Sequence, residues 1–356
     1  MSDLHDSPPR VDVLVTSDAR RGAEVFGRLL VDRLGEAGWP IDLLSLGGSS
    51  HPGLETIPLS QNAPVSGLKL PLVRALRARL TERRPAVVLA NGGATLRYAA
   101  VVSRLVRPRP RLVYRSIGEP AYWLRSPLHR MLQRGLLGAC DHIAAVSEAT
   151  QRQLVSLGVP ASKVSVLYRG VEERWFELPL GERDDRPLHV LFAGSLSSEK
   201  DPITAVTAVG ALGERAILRM AGEGPLRPEI ENLEGNVELL GSVVDMAPHL
   251  RWADVLLLTS RTEGLPGVVI EAAAAGVPSV AADVGGTAEA VVHGETGFVV
   301  QSGDTEGFIA ALEALADDEP LRRRMAAAAR ELAASKFSVQ GSVEGYARLL
   351  REMASR

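Results

Sequence analysis

Two α/β domains, each built on a parallel sheet, are what this sequence predicts, and three observations predict them. At 356 residues the chain exceeds what one hydrophobic core usually spans. Short apolar runs alternate with stretches of helical periodicity, and turns of Gly, Ser, Thr and Pro follow the runs, as in successive βα units. A polar, turn-rich stretch, 177–187 (ELPLGERDDRP), divides this alternation in two and is the expected linker. The predicted domains are residues 1–180 and 187–337, followed by a final helix within 339–356.

Taken in order, residues 11–16 read as a first strand and 24–35 as a helix with Val25, Leu29, Leu30 and Leu34 at helical spacing. The turn between them, SDARRGAE, holds Gly22 but no G-x-G-x-x-G, which excludes the dinucleotide fingerprint there. Residues 47–64 are a loop by composition. A helix over 68–84, broken near Pro71, places Leu72, Val73, Leu76 and Leu80 on one face. The strand 86–90 delivers Asn91-Gly92-Gly93 to its carboxyl end; this is either a ligand loop or a turn that needs glycine dihedrals. The strand 112–115 runs into Ser116 to Trp123, which includes Glu119. After it, Leu128, Met131, Leu132 and Leu136 form a helical stripe bordered by Arg125, Arg130 and Arg134. Such a segment is either a surface helix with its apolar face inward or one that lies on an anionic membrane. A strand over 141–146 ends in Ser147-Glu148.

The second half opens with a strand over 188–193 and the turn Gly194 to Pro202, where Pro202 suits a first helical position and Asp201 an N-cap. Strands 216–221 and 237–240 end in Gly222-Glu223-Gly224 and Gly241-Ser242-Val243. A strand over 255–258, a Gly-Leu-Pro-Gly turn, a helix over 268–275 and a strand over 278–282 make a βαβ unit. One more strand, 297–300, and helices over 304–317, 321–336 and 339–353 complete the chain.

Ligands of such sheets bind at the carboxyl ends of the strands. Two carboxylates stand there in the βαβ unit, Glu263 in the loop and Glu271 on the following helix. The amides of Gly267 and Val268 begin that helix, lack intrahelical acceptors and suit a phosphate. Glu271 beside it would then accept from a ribose diol. The plainer alternative is a solvated Glu263 and a Glu271 that complements the helix dipole.

Composition narrows the function classes. A single cysteine, Cys140, excludes an intramolecular disulfide framework and a cysteine-rich zinc site. No Asp/Glu/His cluster has metal-ligand spacing, so neither a metal nor another cofactor is expected. No apolar run is long enough to cross a bilayer and the N-terminal MSDLHDSPPR lacks a signal-peptide core, so a cytoplasmic protein is expected. Residues 1–186 hold 26 Lys and Arg against 19 Asp and Glu, a net +7, and the remainder 14 against 24, a net −10. This asymmetry either directs the first domain to an anionic surface, as peripheral contact with a membrane, or reflects arginine on solvated faces. Nucleic acid is not an expected partner.

The string EGLPGVVIEAAAAGVPSVAADVGG, Glu263 to Gly286, resembles the E-x7-E signature of retaining glycosyltransferases of family 4, whose fold is GT-B. The resemblance extends over most of the chain. It implies two Rossmann-like α/β domains facing across a cleft, with the final helix returning to the first. A nucleoside-diphosphate sugar, UDP- or GDP-linked, is then held by the second domain, and a small-molecule, lipid-linked or glycan acceptor by the first.

Residue by residue, the resemblance implies that Glu263 contacts the donor sugar, Glu271 the ribose, and Gly267 and Val268 the diphosphate, with Leu265 in the same turn. Gly194, Ser195 and Lys200 match the family's Gly-Arg-Leu-x-x-Glu-Lys loop, in which arginine and lysine neutralise the diphosphate; here the arginine is Ser195. Lys200 joins Glu263 as a candidate catalytic residue. Gly222 and Val243 fall in family turns at the donor, the latter by the base. Gly22, Asn91, Gly92 and Glu119 fall on the acceptor side, Glu119 where many members have histidine. The family's Pro-Asn-Gly-Val-Asp string reads Tyr168-Arg169-Gly170-Val171-Glu172 here. A metal-independent, retaining glycosyltransferase is therefore expected. The same architecture also serves sugar-nucleotide epimerases and phosphorylases, and a catalytically silent scaffold is the reading from another class.

Overall fold

The computed structural model describes residues 7–19, 22–48, 54–61, 67–120, 127–178, 187–233 and 236–356. Arg20 and Arg21 of the first turn, Ala121 to Ser126 with Tyr122 and Trp123, and most of the expected linker lie outside these residues. The chain forms two compact units, one of residues 1–168 with 340–356 and the other of 169–339.

In the first unit, strands β1 (Val11–Ser17), β2 (Ile41–Gly47), β3 (Ile57–Pro58), β4 (Val87–Asn91), β5 (Arg111–Ser116), β6 (His142–Ala145) and β7 (Val164–Val166) form a sheet in the order β3-β2-β1-β4-β5-β6-β7. Its strand pairs are parallel, with Val13 opposite Leu43 on one side and Leu89 on the other. Successive side chains of a strand face opposite sides, and both sides are covered. Val11, Val13 and Val15 pack with Phe26 and Leu30 of helix Gly22–Glu36, whereas Leu14 packs with Leu76 and Leu80 of helix Leu70–Arg83. Burial on both faces is why the strands read as near-continuous apolar runs.

Pro71 does not break a helix as the sequence suggested. It stands in the first turn of Leu70–Arg83, where an amide hydrogen would have no intrahelical acceptor anyway. The last helix, Val339–Ser355, buries Tyr346, Leu349, Leu350 and Met353 at helical spacing in the Phe26 cluster, with the rings of Phe26 and Tyr346 5.6 Å apart.

The second unit carries β8 (Leu188–Ala193), β9 (Ala216–Ala221), β10 (Val237–Gly241), β11 (Val255–Leu258), β12 (Ser279–Ala282) and β13 (Gly297–Val300) in the order β10-β9-β8-β11-β12-β13. These too are parallel. Phe192, Met220, Leu257, Val280, Phe308 and Leu312 are in its core.

The division falls after Tyr168, not at 177–187. The Val171 amide donates to Phe337 O at 2.8 Å, and Trp175 is buried. The Arg330 guanidinium binds the carbonyls of Phe176 and Leu178, so the chain up to Leu178 is already fastened to the second unit. Among the described residues, no helix is long and apolar enough to cross a membrane.

Candidate functional site

Because the strands of the second sheet are parallel, their carboxyl ends meet along one edge, and the chain there approaches itself closely. The Gly194 amide donates to Ala221 O at 3.0 Å and the Gly222 amide to Gly241 O at 2.8 Å. Gly222 has φ +152°, and a Cβ on it would stand 1.9 Å from Gly194 O; only glycine fits. The ends of β8, β9 and β10 therefore present backbone rather than side chains.

Two loops close over this floor. Leu196 is fully buried and anchors the turn after β8, while Ser195 is exposed and its hydroxyl meets Ser197 Oγ at 3.0 Å. Asp201 does not cap helix Pro202–Gly210. It adopts φ 47°, makes no capping bond, and its carboxylate receives Arg261 at 2.9 Å. The left-handed backbone turns its side chain away from the helix start and toward the loop after β11. Thr259 Oγ1 donates to the carbonyl of Asp201 at 2.8 Å, and the Arg261 amide to Glu199 O at 2.8 Å. These bonds fix the two loops to each other.

Across this seam Lys200 Nζ stands 2.6 Å from Glu263 Oε1, with 22% and 10% of the two side chains exposed. Ser260 Oγ donates to the same oxygen at 2.8 Å. The lysine stem passes over Gly194, whose added Cβ would meet Lys200 Cγ at 3.5 Å. The two candidate catalytic residues, 63 positions apart in sequence, are thus an ion pair.

The helix after β11 is Gly267–Ala274, preceded by Pro266. The amides of Val269 and Ile270 donate back to Pro266 O. Those of Gly267 and Val268 make no hydrogen bond among the described residues and stand at the positive end of the helix dipole. Leu265 is buried, so its side chain packs inward and only its backbone faces the turn. Glu271, on the first full turn, accepts from Arg169 Nη2 at 2.8 Å, with 19% of the glutamate and 11% of the arginine side chain exposed. Burial pushes the Glu271 carboxyl above its ordinary pKa, and the Arg169 charge opposes that shift. Val243 is half-buried in the loop after β10, and no bond joins it to the ion pairs.

Arg169 was not among the site residues read from the sequence. Its signal was the single arginine in Tyr168-Arg169-Gly170-Val171-Glu172. The glycine of that string is required, since a Cβ on Gly170 would stand 2.3 Å from Val339 Cα.

The four residues expected on the acceptor side lie in the first unit, following the ends of β1, β4 and β5. Gly22 is exposed at the start of its helix. Asn91 is no open ligand residue: only 3% exposed, it donates to Ala23 O at 2.7 Å and accepts from Arg115 Nη1 at 2.9 Å. Its amide is consumed in joining the first turn to β5, because a buried amide must satisfy both its ends. Gly92 has φ 99°, and a Cβ on it would meet Ile117 Cδ1 at 3.0 Å, which explains the glycine structurally. Glu119 is half-buried and accepts from Gln153 Nε2 at 3.2 Å.

An ammonium and a guanidinium held by carboxylates, two unbonded amides and a run of peptide groups are the kinds of group that suit an anion, with carboxylate oxygens beside them that suit a hydroxyl donor. Among the described residues there is no group of three His, Cys, Asp or Glu side chains that could hold a metal ion.

Comparison with known proteins gives this arrangement a family. A sequence model described as Glycosyltransferase Family 4 matches residues 20–175, and one described as Glycosyl transferases group 1 matches residues 187–318. The chain is 28% identical over 222 residues to the N-acetyl-alpha-D-glucosaminyl L-malate synthase of Bacillus anthracis, covering 58% of each protein. It is 30% identical over 266 residues to the GDP-mannose-dependent alpha-(1-6)-phosphatidylinositol monomannoside mannosyltransferase of Mycobacterium tuberculosis, covering 65% of this chain and 69% of that one. The matches span little more than half the length of several curated relatives. Among solved structures, Anabaena HepE in complex with UDP-glucose superposes with a TM-score of 0.81 at 21% identity, over 97% of this chain and 100% of that one. That likeness carries the fold, which is GT-B. With glycosyltransferase sequence models matched over both halves, the first of them the family's own, the chain belongs to glycosyltransferase family 4.

Proposed function

We propose that this protein moves a glycosyl group from a nucleoside-diphosphate sugar to a hydroxyl acceptor, with retention at the anomeric carbon and without a metal ion. The observation that carries the reading is the Lys200–Glu263 pair at 2.6 Å, fixed in the same unit as the unbonded amides of Gly267 and Val268. In this reading the amides and Lys200 receive the diphosphate, Glu263 turns to the sugar hydroxyls, and Glu271 accepts from the ribose. Gly194, Ser195, Gly222 and Val243 supply backbone around the nucleotide, and the turn at Leu265 leads to the phosphate.

Cleavage of the bond between the anomeric carbon and the phosphate oxygen leaves growing negative charge on the diphosphate, and preplaced donors stabilise that charge. The acceptor oxygen bonds to the anomeric carbon on the face the phosphate leaves, and its proton passes to the departing phosphate. A UDP- or GDP-linked sugar is supported by HepE, solved with UDP-glucose, and by the GDP-mannose-dependent relative. The names of relatives span L-malate, a phosphatidylinositol mannoside and glycogen, so small, lipid-linked and glycan acceptors all fall within the proposal.

The first unit would receive the acceptor through the segments of Gly22, Gly92 and Glu119, with Asn91 holding their turns. Peripheral attachment at a cytoplasmic membrane face is part of this reading. It is motivated by helix Pro127–Gly138, where Met131 and Leu132 are 63% and 56% exposed beside Arg130 and Arg134.

A mass-spectrometric screen of UDP- and GDP-sugars with simple hydroxyl acceptors tests the activity, and the anomeric proton coupling of the product tests retention. Turnover that requires inorganic phosphate would make the protein a phosphorylase. A donor epimerised without acceptor would make it an epimerase, and no donor binding would leave a silent scaffold.

A further inference from the structure

Arg169 is the first residue of the second unit, and its guanidinium lies on the turn that opens helix Gly267–Ala274. A methyl group added at Gly267 would stand 1.7 Å from Nη1 and 2.6 Å from Cζ. Position 267 is thus the seat of the guanidinium. While Nη2 is bonded to Glu271, Nε and Nη1 donate to nothing among the described residues. They lie beside the amides of Gly267 and Val268, which are also unspent. A guanidinium has five N–H groups in a planar fork, and one mostly buried carboxylate leaves most of them unmet. An anion with several acceptor oxygens completes them.

The charge balance elsewhere points the same way. Ser195, where the family resemblance implies an arginine, is a neutral hydroxyl bonded to Ser197. Without a further cation, the two phosphates would rest on Lys200 alone among side chains, and Lys200 is shared with Glu263.

We propose that Arg169 is the second phosphate cation of the donor site, binding the diphosphate through Nε and Nη1 while Nη2 holds the Glu271 carboxylate for the ribose. It deepens the donor reading above and rests on it. Arg169 replaces by a different segment the charge that Ser195 lacks. Its charge also counters the burial that favours a protonated Glu271, so one guanidinium serves both ends of the ribose-diphosphate junction.

Calorimetric titration with UDP and GDP, and with uridine and guanosine as phosphate-free probes, tests this. Arg169→Ala should weaken the preferred diphosphate by at least about tenfold, the size of one charge-assisted hydrogen bond, and should change nucleoside binding far less. The loss should persist in a Glu271→Gln background. Arg169→Lys should recover part of it, since an ammonium restores charge without the fork. If the effect of Arg169→Ala vanishes in the Glu271→Gln background, or if nucleoside and diphosphate weaken equally, Arg169 serves only Glu271 and the proposal is wrong. Should the alanine variant not fold, Arg169→Met fills the space without charge and is read in the same way. A wild-type protein that binds neither UDP nor GDP overturns the donor reading itself, an outcome distinct from a normal wild type with an unaffected Arg169 variant.

Discussion

Replacing Lys200 by alanine removes an ammonium group 2.6 Å from Glu263 Oε1. At that separation, the gross attraction in an effective dielectric near 20 is about 6 kcal/mol, much of it offset by desolvation. Deleting one partner of a fully buried pair costs about 3–5 kcal/mol. Here 22% of the lysine side chain is exposed and Ser260 keeps its 2.8 Å bond to the carboxylate, so the expected loss of stability is nearer ~2 kcal/mol. For a unit of this size that is a fall in Tm of about 4–8 °C. The effect on turnover is larger. In the proposed reaction Lys200 meets charge that grows as the diphosphate leaves, so its removal should lower kcat by on the order of 10²-fold, or about 3 kcal/mol, with little change in donor KM. Glu271, assigned by the proposal to the ribose in ground and transition state alike, should on replacement by alanine instead raise donor KM. Introducing Ser195→Arg should partly rescue Lys200→Ala. Steady-state kinetics at saturating acceptor, with melts run on each variant, make the comparison. A folded Lys200→Ala enzyme whose kcat stays within about threefold of wild type, under 1 kcal/mol, would refute the assignment.

Asp12 is fully buried in β1, with Oδ2 unbonded among the described residues and Oδ1 accepting from Arg83 at 3.0 Å. Burial raises its pKa above 3.8 against the pull of Arg83. The folded state therefore holds the proton more tightly, and this stability is present below pH 3.8 and lost as pH rises through the raised value. The Tm of wild type minus that of Asp12→Asn should fall across that window, and a difference that grows with pH would contradict the shift. Turnover should survive excess EDTA, because Lys200 and the helix-start amides are assigned the diphosphate charge; collapse rescued by Mg²⁺ or Mn²⁺ would give that task to a metal. Sedimentation with anionic vesicles should be salt-sensitive, since basic residues at such a surface contribute about 1 kcal/mol each within a Debye length of about 8 Å. Replacing Met131 and Leu132 together by serine should reduce it, and equal recovery with neutral lipid would dismiss the membrane contact.

The strands were legible because both faces of each sheet are covered, which leaves runs such as 87–90 and 255–258 apolar throughout. Helix ends were read less well. The sequence suggests a break at Pro71 and a cap at Asp201, and both depend on backbone angles that local composition does not fix. Glycine turns marked the strand ends, yet a turn does not disclose which way its neighbours point. Asn91 faces inward to Ala23 and Arg115, whereas Lys200 and Glu263 face each other from loops that only the fold of the sheet brings together. Arg169 was missed for the same reason: 102 positions separate it from Glu271, and nothing in its own segment names a partner.

Residues 340–356 complete the unit that residues 1–168 begin. During synthesis, the usual order in which the amino-terminal domain folds first cannot apply in full. Phe26, Leu30 and Leu34 wait for Tyr346, Leu350 and Met353 while the intervening 171 residues are made, on the order of ten seconds or more at ordinary elongation rates. Throughout that interval a strip of apolar surface is open to water and to other nascent chains. The second unit, contiguous in sequence, can close earlier, so the first part of the protein to be translated is the last to be finished.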